Sequence, residues 1–144
     1  MHALGFPFYA MVQLTNVVLN GMPGRFPDLR FIFMEAGLAW IPFVMQRLDN
    51  ECRMRPSEAP LLRRLPGEYV REFFFTTQPL ERPDRPEHFD ILMEMIHGAS
   101  QLLYASDYPH QDFDLPATIW DLPISLDAKR AILGGNALRL FGIR

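Results

Sequence analysis

The chain has 144 residues, of which 49% are hydrophobic and 22% charged, with a formal net charge of −3. This suits one globular domain and argues against a nucleic-acid-binding surface. The single cysteine, Cys52, excludes an internal disulfide and a thiolate metal cluster. No apolar stretch approaches the length that crosses a bilayer, and no signal peptide precedes the first element. We therefore expect a cytoplasmic protein with neither nucleic acid nor membrane as a partner.

The first predicted element is a helix over residues 8–20, which ends before Gly21. Its apolar stripe has three- and four-residue spacing and consists of Phe8, Met11, Leu14 and Val18. After the loop "GMPGRFPDLR", the run "LRFIFMEAG" predicts a strand that is buried on both faces and ends at Glu35. The segment "WIPFVMQRLDNECRM" then predicts a helix, with Pro42 in its first turn.

The second half of the chain repeats this alternation. Residues 56–66 are predicted to be irregular, and "VREFFFTTQP" to be a second strand. The segment "PEHFDILMEMIHG" predicts a helix that Gly98 ends, and "QLLYAS" a third strand. In "SLDAKRAILGG", Ser125 is the expected N-cap and the two glycines the expected stop, and Asn136 would cap a last turn, "ALRLF".

Alternating strands and helices predict right-handed crossovers and a parallel sheet, which is the α/β class. Three strands are too few for a complete doubly wound sheet or an eight-fold barrel. We therefore predict a partial (β/α)8 TIM barrel with about three βα units, in which residues 1–144 form one segment of a barrel domain. Such a segment would leave two open strand edges if it were isolated.

The strands are predicted to end in polar side chains although their interiors are apolar. Ligands bind at the carboxyl ends of parallel strands, so the candidate site contains Glu35, Asp107 and His110. A carboxylate at such a place can bind a metal or exchange a proton. The alternatives are that Asp107 caps the next turn, that Glu35 is a buried acid bonded to backbone amides, and that His110 is a surface residue. Thr76, Thr77 and Gln78 follow the second strand and are expected to be structural.

Established catalytic motifs are absent from the sequence. It contains no phosphate-binding loop, dinucleotide fingerprint, nucleophile elbow, H-E-x-x-H or H-x-H. His88 and His97 lie on a helix between strands, away from the strand ends. A catalytic zinc needs about three protein ligands, and the strand ends offer only Asp107, with Glu35 and His110 as further candidates.

Four segments together resemble the C-terminal part of the amidohydrolase-related family. They are "GRFPDLRFIFMEAGLAWIPFVMQRLD", "FFFTTQPLE", "LLYASDYPHQD" and "KRAILGGNALRLFGI", and "SDYPH" and "G-x-NALRLFG" are the most specific pieces. This branch of the metal-dependent amidohydrolase superfamily includes enzymes similar to aminocarboxymuconate-semialdehyde decarboxylase and dihydroxybenzoate decarboxylase. The resemblance implies a distorted eight-fold barrel in which this chain supplies roughly the last three units.

The resemblance also implies roles for the strand-end residues. Asp107 matches the family's aspartate at the end of the last strand, which binds a divalent metal and handles a proton. Glu35 stands where many members carry a histidine, and His110 matches the histidine of "SDYPH". The family's H-x-H pair and the metal histidine of the fifth strand have no match in this chain, and His2 does not replace the latter.

Two hypotheses of different classes follow. In the first, the chain is part of a hydrolase or non-oxidative decarboxylase for a small organic or cyclic carboxylic substrate, with a divalent metal, expected to be zinc. Asp107 would then be metal ligand and general acid/base, with Glu35 and His110 beside it. In the second, the chain is a catalytically incomplete fragment that self-associates across its open edges, which predicts a homo-oligomer.

Overall fold

Three short parallel strands form the centre of the fold, and helices connect them. The computed structural model describes residues 2–143. The strands are β1 (Ile32–Phe33), β2 (Phe74–Thr76) and β3 (Leu102–Leu103). The helices are α1 (His2–Leu19), α2 (Met22–Arg25), α3 (Trp40–Met54), α4 (Pro66–Val70), α5 (Pro86–Met95), α6 (Gly98–Gln101), α7 (Pro116–Trp120), α8 (Leu126–Arg130) and α9 (Asn136–Phe141). A 3-10 turn spans Pro56–Glu58 and a π-helical turn Ala131–Gly135.

The sheet has the order β1-β2-β3, and both pairs of neighbours are parallel. Ile32 pairs with Phe74, and Phe75 pairs with Leu102. This confirms the predicted α/β class with a parallel sheet. The parallel arrangement also places all three carboxyl ends at one edge, which is the edge where the polar residues follow.

The two outer edges of the sheet differ, so the prediction of two open edges is wrong. Beyond β3, Tyr104 N donates a hydrogen bond to Ile132 O (3.0 Å), and Asn136 Nδ2 donates one to Leu102 O (2.8 Å). The C-terminal helical segment therefore covers that edge. No strand among residues 2–143 pairs with the far side of β1. The strand β1 is only partly buried, whereas β2 and β3 are fully buried, so the prediction of burial on both faces is wrong for β1.

The long helices agree best with the sequence. The helix α3 has the predicted bounds, and it buries one stripe: Trp40, Ile41, Val44, Met45 and Leu48. The helix α1 begins earlier than predicted, at His2, and Pro7 lies inside it, where proline has no N–H to donate to the backbone. Leu14 and Val18 are fully buried as expected, but Phe8 points to solvent. None of the described helices is long and apolar enough to cross a membrane.

Four of the helices with four or five residues, α2, α4, α6 and α7, were not predicted. A helix this short gives too few turns for a recognisable apolar repeat, so these segments were interpreted as loop or strand. The helix α4 includes Val70, and β2 therefore begins at Phe74, later than the segment "VREFFFTTQP" suggests.

The helix ends differ from prediction at the glycines. Ser125 caps α8 as expected, because its Oγ accepts a hydrogen bond from Ala128 N (3.2 Å). Gly98 does not end a helix: His97 takes the left-handed conformation (φ 54°), and Gly98 begins α6. The glycine pair 134–135 lies inside a helical turn that continues into α9. The helix α9 ends at Gly142, whose φ is 64°.

The side chain of Asn136 is buried at the start of α9 and does not cap a final turn. It was expected to cap a final turn, but no hydrogen bond from its side chain caps α9, and the residue is fully buried. Its Nδ2 donates to Ala99 O (3.0 Å) and to Leu102 O. A single amide side chain thus joins α9 to both α6 and β3.

The hydrophobic core lies between the sheet and its surrounding helices, and it includes Leu14 of α1, Val44 of α3, Phe89 of α5 and Ile119 of α7. An aromatic cluster packs against the sheet: the partly buried Phe33 stacks on Phe73 and Phe75, each at 5.8 Å between ring centroids. Trp40 meets Phe75 edge to face, and its Nε1 donates to Gly37 O (2.9 Å). Aromatic contacts of this kind stabilise beyond the area they bury. Because β1 and β2 belong to this rigid cluster, their carboxyl ends have fixed positions.

Candidate active site

The residues that follow the three strands line one cleft with a volume of about 710 Å³. Glu35 comes from β1, Gln78 from β2, and Asp107 and His110 from β3. The structure thus brings together all three residues selected from the sequence, as expected for the carboxyl ends of parallel strands. That they are catalytic stays a prediction.

Two threonine hydroxyls hold the strand ends in register. Thr76 Oγ1 accepts a hydrogen bond from Glu35 N (3.0 Å), which joins the end of β1 to β2. Thr77 Oγ1 accepts one from Ala105 N (3.3 Å), which joins β2 to the segment after β3. Both threonines are buried and neither lines the cleft, in agreement with the expected structural role.

Gln78 connects β2 to the loop that carries His110. Its Nε2 donates to Asp112 O (3.2 Å), and the residue is almost fully buried. The loop closes on itself, because Asp114 N donates to Ser106 O (2.8 Å), and Tyr104 Oη donates to Asp114 O (2.8 Å). These bonds order an exposed loop and so limit where His110 can lie.

Glu35 and Asp107 share an uncommon backbone conformation. Their φ angles are 55° and 59°, in the left-handed region. This region costs a residue with a Cβ roughly 1–2 kcal/mol. Such conformations persist where the surroundings impose them, and they are concentrated at functional sites. Here the conformation turns the chain at the end of β1 and again after β3.

Asp107 and His110 form a hydrogen-bonded pair. His110 Nδ1 lies 2.8 Å from Asp107 Oδ1. The Asp107 side chain is 15% exposed and the His110 side chain 69%. The hydrogen bond to Asp107 and its charge, with smaller contributions from the charges of Glu35 and Asp112, raise the pKa of His110 above its usual 6.5. The protonated imidazole therefore persists to higher pH and can donate to the carboxylate.

The Asp107→Asn variant should lower the pKa of His110 towards its ordinary value, because the amide removes the charge that favours the imidazolium. In the native protein, the electrostatic attraction between the protonated His110 ring and the Asp107 carboxylate is fully present below about pH 6.5. It is lost as the pH rises through the raised pKa of His110. An NMR titration of the His110 ring protons measures this change. The variant Asp90→Asn, at an exposed position on α5, is the control and should leave the titration unchanged.

Sequence reasoning missed Glu81 as a residue of this cleft. Its Oε2 accepts a hydrogen bond from Leu38 N (2.8 Å), so it fastens the turn after Glu35 to the segment after β2. Gly37, in this turn, has a φ of 69°, and a Cβ at this position would collide with the Glu81 carboxylate. The only sequence signal is that Glu81 follows closely after the end of the second predicted strand.

The Gly37→Ala variant should lower the free energy of unfolding by about 1–3 kcal/mol. The left-handed φ disfavours a Cβ, and the Glu81 carboxylate must leave Leu38 N to make room. Chemical denaturation measures the effect. Gly24→Ala is the matched control, since a Cβ there meets no atom within 4 Å. An equal loss of stability in both variants would contradict this account of the turn.

The other candidate groups lie elsewhere. His88 and His97 are exposed and do not line the cleft. Cys52 lies on α3, where burial and then the charges of Asp49, Glu51 and Glu58 raise the pKa of its thiol. A thiol that stays protonated is a poor nucleophile. This agrees with the interpretation of Cys52 as a small residue on a helix flank.

The donor set of the cleft does not hold a catalytic metal by itself. Among residues 2–143, no group of three His, Cys, Asp or Glu side chains has the geometry to bind an ion. A catalytic zinc needs about three protein ligands and an open position. Glu35 and Asp107 supply carboxylates, but His110 Nδ1 faces Asp107. The cleft therefore presents part of a possible ligand set.

The cleft lies at the carboxyl ends of a parallel α/β sheet, which is where such folds bind ligands. Comparison with known proteins identifies the family. The sequence profile of the Amidohydrolase family matches residues 1–143. Because the match covers nearly the whole chain, the protein belongs to this family, as the four segments suggested.

Solved structures show the same fold. The 5-carboxyvanillate decarboxylase of Sphingomonas paucimobilis is 32% identical over 89% of this chain, with a TM-score of 0.70. The manganese-bound dihydroxybenzoic acid decarboxylase of a Polaromonas species is 22% identical over 92%, with a TM-score of 0.70. The 2,6-dihydroxybenzoate decarboxylase of Rhizobium is 22% identical over 92%, also with a TM-score of 0.70. These are barrel proteins, so the predicted partial (β/α)8 barrel is confirmed.

The chain corresponds to a minor part of each relative. It spans 38% of the Sphingomonas enzyme, 40% of the Polaromonas enzyme and 41% of the Rhizobium enzyme. The expected three βα units agree with these shares. The activity of the complete barrel in these relatives is therefore only proposed for this chain.

Proposed function

We propose that this chain contributes the Asp107 side of the active site of a metal-dependent, non-oxidative decarboxylase for a small phenolic carboxylate. The observation that carries the proposal is the convergence of Glu35, Asp107 and His110 in one cleft at the strand ends. The 32% identity with a 5-carboxyvanillate decarboxylase supports carboxylate chemistry over amide or ester hydrolysis. Residues 1–144 would form the C-terminal segment of the barrel, in a cytoplasmic enzyme.

In this proposal the cleft residues have distinct tasks. Asp107 is a metal ligand and the group that exchanges a proton with the substrate. His110 donates a hydrogen bond to Asp107 Oδ1 and so fixes the orientation of the carboxylate. Glu35 is a second acidic group, held by the hydrogen bond from its backbone N to Thr76 Oγ1. Gln78 and Glu81 keep the two loops of the cleft in place.

We propose a divalent metal as the cofactor, with histidines from outside this chain completing the ligand set. The resemblance noted in the sequence favours zinc, whereas the Polaromonas decarboxylase holds manganese. Both metals therefore belong in the test. The structure supports the proposal through the carboxylates that follow β1 and β3, which suit a hard divalent cation.

A second candidate is favoured by one observation. We propose as this second candidate that the chain by itself is a catalytically incomplete fragment, which the lack of a group of three potential metal ligands among residues 2–143 supports. In this candidate the chain folds but has no turnover, even when the remainder of a barrel is supplied. The two candidates differ in what happens when that remainder is present.

A chimera separates them. The part of the Sphingomonas decarboxylase outside the matched region is joined to this chain, and metal content and CO₂ release from a panel of hydroxybenzoates are measured with zinc or manganese. We expect about one metal ion per chimera and turnover, with neither in the chain alone. A folded chimera that binds metal but releases no CO₂ from any hydroxybenzoate would overturn the decarboxylase proposal.

A further inference from the structure

The buried side chain of Gln78 carries a hydrogen-bond acceptor that has no donor. The residue is 1% exposed, and its Nε2 donates to Asp112 O. No residue among 2–143 donates a hydrogen bond to its Oε1, which is also shielded from bulk solvent. A buried amide oxygen without a donor lowers the stability of a fold, so its presence calls for a physical reason.

The position of Gln78 distinguishes it from the other unpaired polar groups. Four buried side-chain atoms lack a hydrogen-bond partner among residues 2–143, and they belong to Gln78, Gln101, Asp114 and Asn136. Of these four residues, only Gln78 lines the cleft that contains Asp107 and His110. The unpaired acceptor of Gln78 therefore belongs to the candidate active site.

The strand β2 directs Gln78 away from the helices. The pairing of β2 with β3 continues to Thr77, whose N donates to Leu103 O (3.0 Å). Side chains of an extended chain point alternately to its two faces, so Gln78 shares a face with Phe74 and not with Phe75. Phe75 belongs to the hydrophobic core on the helix side, and Phe74 does not. In a barrel, the face opposite the helices is the interior, onto which the ligand site opens.

The cleft offers hydrogen-bond acceptors and no cationic side chain. Four carboxylates line it, those of Glu35, Glu81, Asp107 and Asp112, and none of the described lining residues is a lysine or an arginine. Such a surface repels the carboxylate of a ligand and favours groups that donate hydrogen bonds. Among these acceptors, a buried neutral amide oxygen gains most from a ligand donor, because water does not satisfy it.

We propose that Gln78 is a specificity-determining residue, whose Oε1 accepts a hydrogen bond from a ring hydroxyl of the substrate. This inference rests on the proposed phenolic substrate and adds the residue that recognises its hydroxyl group. The terminal amide torsion of glutamine is broad, so a small rotation presents Oε1 to a ligand in the cleft. A ligand without the hydroxyl leaves this acceptor unpaired and binds less tightly.

Resorcinol and its dimethyl ether are the probes, because they share a ring but only resorcinol donates hydrogen bonds. Each is titrated into the chain and into the chimera, and binding is followed in proton–nitrogen correlation spectra. We expect resorcinol to bind about tenfold more tightly than the ether and to shift the side-chain amide signal of Gln78. Gln78→Met, of similar size, should lose this preference. Gln111→Met, at an exposed position in the same cleft, is the control and should keep it.

The pair of probes separates recognition of a hydroxyl group from a purely structural role. A Gln78→Met variant that binds both probes more weakly by the same factor would mean that Gln78 only holds the loop of Asp112, and the proposal would be wrong. It would also be wrong if the native protein binds the two probes equally well or binds neither. Circular dichroism verifies that the variant is folded. If it is not, the signal of Gln78 in the native protein decides, because it should shift with resorcinol and not with the ether.

The measurement is independent of turnover. A chimera that prefers resorcinol through Gln78 but releases no CO₂ would contradict the decarboxylase proposal and leave the assignment of Gln78 in place. A chimera that releases CO₂ but keeps its preference for resorcinol in Gln78→Met would contradict only the assignment of Gln78.

Discussion

The Asp107→Asn substitution should lower kcat by about 10²- to 10⁴-fold in the chimera that restores the barrel. Asparagine keeps the size of the side chain but cannot carry the proton, and a positioned acid or base contributes about this factor. It also binds a divalent cation more weakly than a carboxylate does. Steady-state turnover of the best hydroxybenzoate at several pH values measures the effect.

The matched control for this substitution is Asp90→Asn, an exposed carboxylate on α5 outside the cleft. It should leave kcat and KM unchanged. Glu35→Gln should have a smaller effect than Asp107→Asn, because none of the hydrogen bonds described for residues 2–143 joins a histidine to the Glu35 side chain, and Thr76 keeps its backbone position. A variant Asp107→Asn that keeps kcat near that of Asp90→Asn would remove Asp107 from the catalytic group.

The Asn136→Ala substitution should lower the free energy of unfolding by about 2–4 kcal/mol. The side chain is fully buried, and its Nδ2 satisfies both Ala99 O and Leu102 O. The buried Leu102 carbonyl costs about 1–3 kcal/mol when it loses its donor, and the part-buried Ala99 carbonyl costs less. Asn136→Asp should be at least as damaging, because a carboxylate cannot donate to either carbonyl and would be charged in the core. Urea denaturation at one fixed protein concentration measures these changes.

Asn50→Ala is the control for this stability measurement. Asn50 lies on the exposed face of α3, so its replacement should change the stability by less than about 0.5 kcal/mol. If Asn136→Ala unfolds at nearly the same urea concentration as Asn50→Ala, the α9 connection is not a major source of stability. The C-terminal segment would then cover β3 without holding it.

Much of the architecture was readable from the chain because its longer elements carry strong local signals. The helix α3 has several turns of one apolar stripe and a proline where the first turn tolerates it, so its bounds agreed with prediction. The alternation of strands and helices sufficed for a parallel sheet. The strand-end rule then selected Glu35, Asp107 and His110 before their positions were known.

Predictions from the sequence failed at residues whose local conformation or role depends on a contact with a residue distant in the chain. Gly98 was predicted to end a helix, yet His97 takes the left-handed conformation, and Gly98 lies close to Met93 and Leu102. Asn136 looked like a cap by its place in the sequence, but its partners are more than thirty residues away in the chain. Glu81 was overlooked because its importance rests on Leu38 N, which only folding brings near.

The sequence by itself determined the class of fold, the direction of the strands and the end of the sheet at which polar groups gather. These properties follow from apolar periodicity and from the position of breakers, which are local. Only the tertiary structure decided that Asp107 and His110 pair, that one edge of the sheet is covered, and that Gln78 buries an unpaired acceptor in the wall of the cleft. Such features depend on which distant backbone and side-chain groups meet, and a linear pattern does not encode those distances.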